Sequence, residues 1–152
     1  MKSPFSRILV PIDGSENSFN AAEYAIDISM TYKSEITLLS VVPSKVKYGD
    51  SSGIFGAIPP KYSKKYRNEA EKWFNHIRDR IKKDRLQIKG IKTDVITTPV
   101  SIVSTIVDYA EKDDTDLIII GTRGITGLKR MLIGSVASGV VTYAHCPVLV
   151  IR

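Results

Sequence analysis

The sequence contains one cysteine among its 152 residues, Cys146. A lone cysteine excludes an intrachain disulfide and fits a reducing compartment. No apolar run approaches the roughly 20 residues that a transmembrane helix requires. The first residues also lack the apolar segment and cleavage site of a secretory signal peptide. These absences predict a cytoplasmic protein without a membrane anchor.

Residues that form common catalytic and metal sites are scarce. The two histidines, His76 and His145, have no obvious carboxylate or nucleophile partner, so we expect surface or packing roles for both. Cys146 precedes Pro147 and a predicted buried strand, which favours packing over a reactive thiol. No His or Cys cluster has metal-ligand spacing, and no nucleophile, base and orienting residue occur in a recognisable set. We therefore predict no protein-formed metal site and no catalytic residues.

Length and composition fit one globular domain spanning residues 1–152. The chain is 43% hydrophobic and 25% charged, which is ordinary for a protein that buries a core. Its net charge of +6 comes from the segment between Lys61 and Lys92, where 12 Lys or Arg face 4 Asp or Glu. Apolar residues recur there at helical spacing, which predicts an amphipathic helix with a solvated basic face. A surface for acidic partners or nucleic acid is the alternative; since Trp73 and Phe74 fall on the apolar stripe, nucleic acid is not expected.

Hydrophobic periodicity predicts five strands that alternate with four helices. The strands are expected at residues 8–12, 36–42, 91–97, 117–120 and 148–151. The second helix is expected at about 61–86, and Thr98-Pro99 is interpreted as the N-cap and first residue of the third. The Gly, Ser and Pro-rich segment 43–60 is predicted to be a loop that is functional or disordered. This alternation predicts a doubly wound α/β fold, a five-stranded parallel sheet with helices on both faces.

The segment between the fourth strand and the fourth helix is the most informative. Gly121 and Gly124 follow the strand, and Gly134-Ser135 precedes a helical pattern of apolar residues, Val136, Ala137, Val140, Val141 and Ala144. Glycines lack a β-carbon, so an anion can approach their backbone. The first N–H groups of a helix lack helical partners and carry the positive end of its dipole. The segment therefore predicts a phosphate site.

The glycine spacing differs from the two commonest phosphate-binding motifs. G-x-G-x-x-G follows none of the predicted strands, and G-x-x-x-x-G-K-[ST] is absent. What the chain contains is G-x2-G-x9-G-S, formed by Gly121, Gly124, Gly134 and Ser135. This pattern resembles the ATP-binding branch of the universal stress protein family. The resemblance extends over residues 8–151.

The resemblance implies an ATP site, with Mg²⁺, at the carboxyl edge of the sheet between the first and fourth strands. In the family, the aspartate that ends the first strand and the residue that ends the second contact adenosine, while the glycine motif holds ribose and phosphates. The matching candidate residues here are Pro11, Ile12, Asp13, Val41, Ile120, Gly121, Arg123, Gly124, Gly134, Ser135 and Val136. Family analogy also places the apolar strand 148–151 at the sheet edge. We expect it to pair with a second copy in a homodimer.

Several of these residues also have purely structural explanations. Asp13 can cap the turn that it begins, Ser135 can be the N-cap of the last helix, and Val41 can belong to the core. Lys129 and Arg130 lie within the glycine motif and either are solvated or neutralise phosphate charge. These alternatives are open at the level of the sequence.

The sequence also limits the chemistry that an ATP site would perform. The H-x-G-H and S-G-G-x-D-S signatures of adenylating and pyrophosphatase relatives are absent. Phosphoryl transfer requires a positioned metal and a group that orients the attacking water. We therefore expect a nucleotide-dependent regulatory switch in the stress response, with slow or absent hydrolysis and an unknown protein partner. An adapter of the same fold that binds no nucleotide and a weak ATPase are the alternatives.

Overall fold

Five parallel strands form the centre of the computed structural model, which describes residues 3–47, 55–57, 60–122 and 133–152. These strands are β1 (Arg7–Pro11), β2 (Glu35–Pro43), β5 (Gly90–Thr98), β6 (Leu117–Gly121) and β7 (Val148–Ile151). Two short strands, β3 (Lys45–Lys47) and β4 (Phe55–Ala57), form an antiparallel pair inside the segment predicted to be a loop. The main sheet has the order β5-β2-β1-β6-β7 with parallel neighbours throughout. The predicted five-stranded parallel sheet is confirmed.

Helices cover both faces of this sheet. On one face lie α1 (Glu16–Tyr32) and α2 (Pro60–Lys83), and on the other lie α3 (Ile102–Lys112) and α4 (Ser135–Tyr143). Successive strand residues alternate between the two core clusters, so Ile8 and Val10 pack with α1 and α2 whereas Leu9 packs with α3 and α4. The predicted doubly wound architecture is confirmed. Within the described ranges, no helix combines the length and apolarity needed to cross a bilayer.

The apolar stripe predicted for α2 lies in the core. Phe74 is fully buried, and Ala70, Ile77 and Ile81 are buried beside it, while Trp73 is partly buried against the same cluster. Apolar periodicity also predicts Met30 on the buried face of α1 and Val141 on that of α4, but Met30 is 38% exposed and Val141 is 49% exposed, so both predictions were wrong. Met30 lies in the last turn of α1, and Val141 lies next to Val140, which takes the buried position on α4.

The start of α3 differs from the prediction. Its N-cap is Ser101, whose Oγ accepts a hydrogen bond from the Ser104 N–H at 3.0 Å. Thr98 is instead the last residue of β5, and its carbonyl accepts from Ser44 N at 2.7 Å. The Thr98 hydroxyl accepts a hydrogen bond from Thr105 Oγ1 at 2.9 Å, which connects the end of β5 to α3. Thr98 therefore ends the strand, because Ser44, just after β2, and Thr105 of α3 both supply hydrogen-bond partners for it there.

The strand order reverses between β1 and β6. From β1 the chain proceeds to β2 and β5 on one side, whereas β6 and β7 lie on the other. Ile8 pairs with Leu117 across the junction, as expected for neighbouring first and fourth long strands. In open parallel sheets, ligands bind at the carboxyl ends of the strands that flank such a reversal.

Candidate functional site

The turn after β1 is organised by the carboxylate of Asp13. The Ile12 N–H donates to Leu39 O at 2.8 Å and extends the ladder beyond the strand. Asp13 Oδ1 then accepts from the N–H of Ser15 at 2.9 Å and from its hydroxyl at 2.5 Å. Ser15 caps α1 by accepting from Ser18 N at 3.2 Å. The capping role proposed for Asp13 is therefore present, and it holds the carboxylate at the carboxyl edge of β1.

Gly121 ends β6 in contact with the first turn of α1. A β-carbon at this position would lie 2.7 Å from the carbonyl carbon of Asn17 and 2.8 Å from its oxygen. Real β-carbons do not approach other atoms this closely, so glycine is needed for β6 and α1 to pack here. On this side, the missing β-carbon makes room for a helix rather than for an anion. An anion contact of Gly121 stays a prediction.

Thr122 joins three elements around the strand reversal. Its N–H donates to Ile151 O at 2.7 Å, and its carbonyl accepts from Gly134 N at 2.5 Å. Its hydroxyl accepts from Asn17 Nδ2 at 3.2 Å. Because Thr122 is only 3% exposed, these bonds are shielded from solvent. They fix the start of α4 beside the end of β6, which is the arrangement predicted from the glycine motif.

The start of α4 has no capping side chain on its N-cap residue. That residue is Gly134, with φ −68° and ψ 161°, and Ser135 is the first helical residue. The interpretation of Ser135 as the N-cap was therefore wrong. By contrast, Ser15 and Ser101 each cap their helices through a side-chain oxygen. A glycine cap offers no side-chain oxygen to the first N–H groups of α4, and the helix dipole favours an anion there.

The apolar candidates lie close to this edge, with their side chains in the core. Ile12 and Ile120 are 2% and 5% exposed, so a ligand would meet only their backbone. Val41 is partly buried against the α3 and α4 cluster. It lies two residues beyond Leu39, the partner of Pro11 at the end of β1. Val136, in the first turn of α4, is also partly buried in that cluster. Its core packing likewise leaves the backbone as the ligand contact.

Two predicted ligand residues cannot be placed. Arg123 and Gly124 belong to residues 123–132, which lie outside the described ranges, as do Lys129 and Arg130.

A groove also lies at the amino edge of the sheet, opposite the carboxyl edge where the crevice between the ends of β1 and β6 is predicted. Its volume is about 820 Å³, and its lining comes from Ser6, Arg7, Glu35, Lys89, Asp114, Thr115, Asp116, His145, Cys146 and Pro147. Two ion pairs form between lining residues: Arg7 Nη1 lies 3.4 Å from Asp114 Oδ2, and Lys89 Nζ lies 3.5 Å from Glu35 Oε1. These pairs compete with an ionic ligand, so the carboxyl edge is the better candidate site.

Cys146 has the packing role predicted for it, and His76 is an exposed residue in contact with one aromatic ring, consistent with the predicted surface or packing role. Burial raises the pKa of the Cys146 thiol, and the nearby Asp116 carboxylate raises it further. The thiol thus stays protonated and packs against the α3 and α4 cluster. The His76 ring meets Phe19 edge to face, with centroids 5.3 Å apart.

The model of the universal stress protein family matches residues 4–152. This chain belongs to the universal stress protein family. Among its relatives, universal stress protein MJ0531 of Methanocaldococcus jannaschii is 33% identical, over 97% of this chain and 82% of that protein. The solved structure of universal stress protein UspA from Lactobacillus plantarum is 29% identical with a TM-score of 0.79, over 97% of this chain and 98% of that one. The predicted family is confirmed.

Universal stress proteins of this fold have also been solved with nucleotide bound. One, from Archaeoglobus fulgidus, is in complex with dAMP. It is 18% identical to this universal stress protein with a TM-score of 0.68, over 97% of this chain and 98% of that one. At this level of identity, the likeness supports the shared fold.

Three residues of the site region were not predicted from the sequence. Asn17 and Thr122 bond across 105 positions, and no spacing rule connects an early helical asparagine to the residue after a distant strand. Trp73 lies against the turn at Gly14. The positive φ of Gly14 was predictable from its turn, but the tryptophan was assigned to the core stripe alone.

Proposed function

We propose that this universal stress protein binds an adenine nucleotide, ATP with Mg²⁺, in the crevice between β1 and β6. The observation that carries the proposal is the Gly134 N–H to Thr122 carbonyl bond, which holds a glycine-capped helix start at the strand reversal. Free N–H groups at a helix start bind phosphate oxygens well. The dAMP complex of a protein with the same fold supports this choice of ligand.

The crevice has two chemically different ends. Asp13 follows the end of β1, Val41 lies near the end of β2, and a carboxylate there suits the hydroxyl and amino donors of a nucleoside. Ser135 and Val136, at the start of α4, suit phosphates. In the described residues, no three His, Cys, Asp or Glu side chains are grouped to hold a metal ion. In this proposal, Mg²⁺ therefore arrives on the phosphates of the nucleotide.

The proposed role is a regulatory switch in the stress response rather than a metabolic enzyme. Hydrolysis would need a group that positions water against the terminal phosphate. Asp13 is assigned to the nucleoside end, and its Oδ1 already accepts from Ser15. Slow or absent turnover then leaves the loaded state long-lived enough for a partner protein to recognise. The lone cysteine supports a reducing cytoplasm as the location.

The proposal includes a homodimer formed through β7. Bonds from Ile118 N to Pro147 O and from Thr122 N to Ile151 O show that odd-numbered residues face β6. The backbone groups of Val148 and Val150 therefore face the open side of the sheet. A second copy of the same strand, related by a two-fold axis, would satisfy them.

Calorimetric titration with ATP and Mg²⁺ tests nucleotide binding. We expect saturable binding to each chain of protein first shown to be free of nucleotide. Asp13→Asn retains an oxygen for Ser15 but loses the charge, so we expect affinity to fall by about tenfold or more. Asp108→Asn, on the exposed surface of α3, makes the same chemical change away from the crevice and should leave affinity unchanged.

Two outcomes would contradict the proposal. If folded, nucleotide-free wild-type protein does not bind ATP, the alternative function is favoured, an adapter of the same fold that binds no nucleotide. Turnover near ordinary enzyme values of roughly 10 per second would show an ATPase instead of a switch.

A further inference from the structure

Trp73, the single tryptophan of the chain, lies against the turn that carries Asp13. Gly14 has φ +81°, a conformation that favours glycine. A β-carbon at Gly14 would lie 2.5 Å from Cε2 and 2.9 Å from Nε1 of Trp73. The indole therefore blocks movement of the turn toward α2. Trp73 is partly buried against the core cluster and also contacts this turn.

The same face of α2 contacts the start of α1 at a second point. His76 is three residues after Trp73, so both side chains lie on one face of the helix. Its ring meets that of Phe19, in the first turn of α1, at 69° between planes. The Gly14 turn and the first turn of α1 thus both rest on α2. Movement of α2 would therefore displace the turn that carries Asp13.

The Asp13 carboxylate is consequently constrained from two directions. Ser15 bonds its Oδ1 from the α1 side, while Trp73 limits the adjacent peptide from the α2 side. We infer that Trp73 is a positioning residue for the nucleoside end of the site, because it fixes the direction in which Asp13 faces the crevice. The inference rests on the proposed nucleotide binding, since Asp13 acts on a ligand only if that crevice holds one.

A double-mutant cycle on ATP affinity tests the inference with Trp73→Leu and Asp13→Asn. If Trp73 acts through Asp13, Trp73→Leu weakens ATP binding by about tenfold in the wild-type background and by less than about twofold in Asp13→Asn. Tyr143→Leu, which truncates an aromatic that is 70% exposed, should change affinity in neither background. Thermal unfolding of each variant confirms that the folded protein is being titrated.

Additive losses in the cycle would overturn the inference, because general damage by Trp73→Leu would persist without the Asp13 carboxylate. Equal ATP affinity of Trp73→Leu and wild type would overturn it as well. Failure of the wild type to bind ATP would instead remove the proposed function, and the inference with it.

Tryptophan fluorescence tests the same link without altering Trp73. In wild-type protein, the emission should change with ATP and follow the calorimetric binding curve. At ATP concentrations that saturate Asp13→Asn, the change should be lost, since the turn no longer responds to the ligand. An unchanged wild-type emission spectrum at saturating ATP would contradict a coupling between the crevice and Trp73.

Discussion

The two edge strands of the sheet differ in how their open sides are covered. At β5, two guanidinium groups reach over from α2: Arg67 Nη1 donates to Val95 O at 3.3 Å, and Arg78 Nη2 donates to Thr93 Oγ1 at 2.8 Å. Lys92 and Asp94 are exposed on the same strand. Charged side chains on an edge strand discourage pairing with another chain. Part of the basic charge of α2 therefore protects an edge of the sheet.

In the part of the chain that the structure describes, no charged side chain covers the β7 edge in this way. Its sequence, Val-Leu-Val-Ile, has no charge, and the first three side chains are partly exposed. The backbone N–H and C=O groups of Val148 and Val150 face outward beside these apolar side chains. The β5 edge is thus covered in part by its own chain, whereas β7 is the edge that the proposed dimer would use. The following predictions test this difference from its largest expected effect to its smallest.

Val150→Pro should convert a wild-type dimer into a monomer. Proline removes an N–H that faces the open side, so bonds to β6 should persist while pairing with a second β7 strand is lost. Static light scattering should give twice the chain mass of 16.9 kDa for wild type and the chain mass itself for the variant.

Val150→Thr is the matched control for this change, because it alters packing at the same position and keeps the N–H. It should remain dimeric. Monomeric wild-type protein at micromolar concentration, or a dimeric Val150→Pro variant, would disprove assembly through this edge.

Gly139→Ala should destabilise the helical layer behind the β7 edge. The new β-carbon would lie 2.7 Å from Val103 Cγ2 and would force α4 away from α3. Overpacking of this kind costs about 1–3 kcal/mol of the free energy of unfolding, measurable by urea denaturation. At the other edge, Gly90→Ala places its β-carbon 3.9 Å from Glu35 Cγ, an ordinary contact. Equal losses in the two variants would contradict the described α3 and α4 packing.

Arg78→Met should weaken the protection of β5. Loss of the bond to Thr93 should lower the free energy of unfolding by about 1 kcal/mol. The Val150→Pro background removes the β7 contact. In that background, Arg78→Met should also increase association of the protein at high concentration. Lys82→Met removes the same charge from an exposed position of α2 and should do neither. Matching behaviour of the two variants would mean that net charge, rather than edge coverage, controls association.

The strands were predictable because burial on both faces gives a distinctive local pattern. The run Leu117-Ile118-Ile119-Ile120 needs no tertiary information to be identified as a buried strand, and all four side chains are buried. The start of α3 was not predictable in the same way. Thr98 satisfies local rules for a helix cap, yet its carbonyl bond to Ser44 and its hydroxyl bond to Thr105 come from the folded structure.

The helix start beside the end of β6 was predictable, but the contacts around it were not. The glycine motif correctly located a helix start beside the end of β6. It did not indicate that Gly121 accommodates Asn17, or that Thr122 is the residue that connects α4, β7 and α1. These contacts join positions far apart in the chain, and spacing rules describe only neighbours. The ligand roles of the candidate residues remain predictions for the titrations proposed above.

The smallest expected effect is a pH dependence at the β5 edge. Burial, aided by the Asp94 and Asp113 carboxylates, raises the pKa of Tyr109 from 10.0 to about 12. The folded state thus favours the neutral phenol, so its stabilisation is complete below pH 10 and is lost as pH rises from about 10 to about 12. Tyr109→Phe cannot ionise, so its urea midpoint should fall less over this range than that of wild type. Parallel pH profiles for the two proteins would show that the environment of Tyr109 beside β5 does not favour its neutral form.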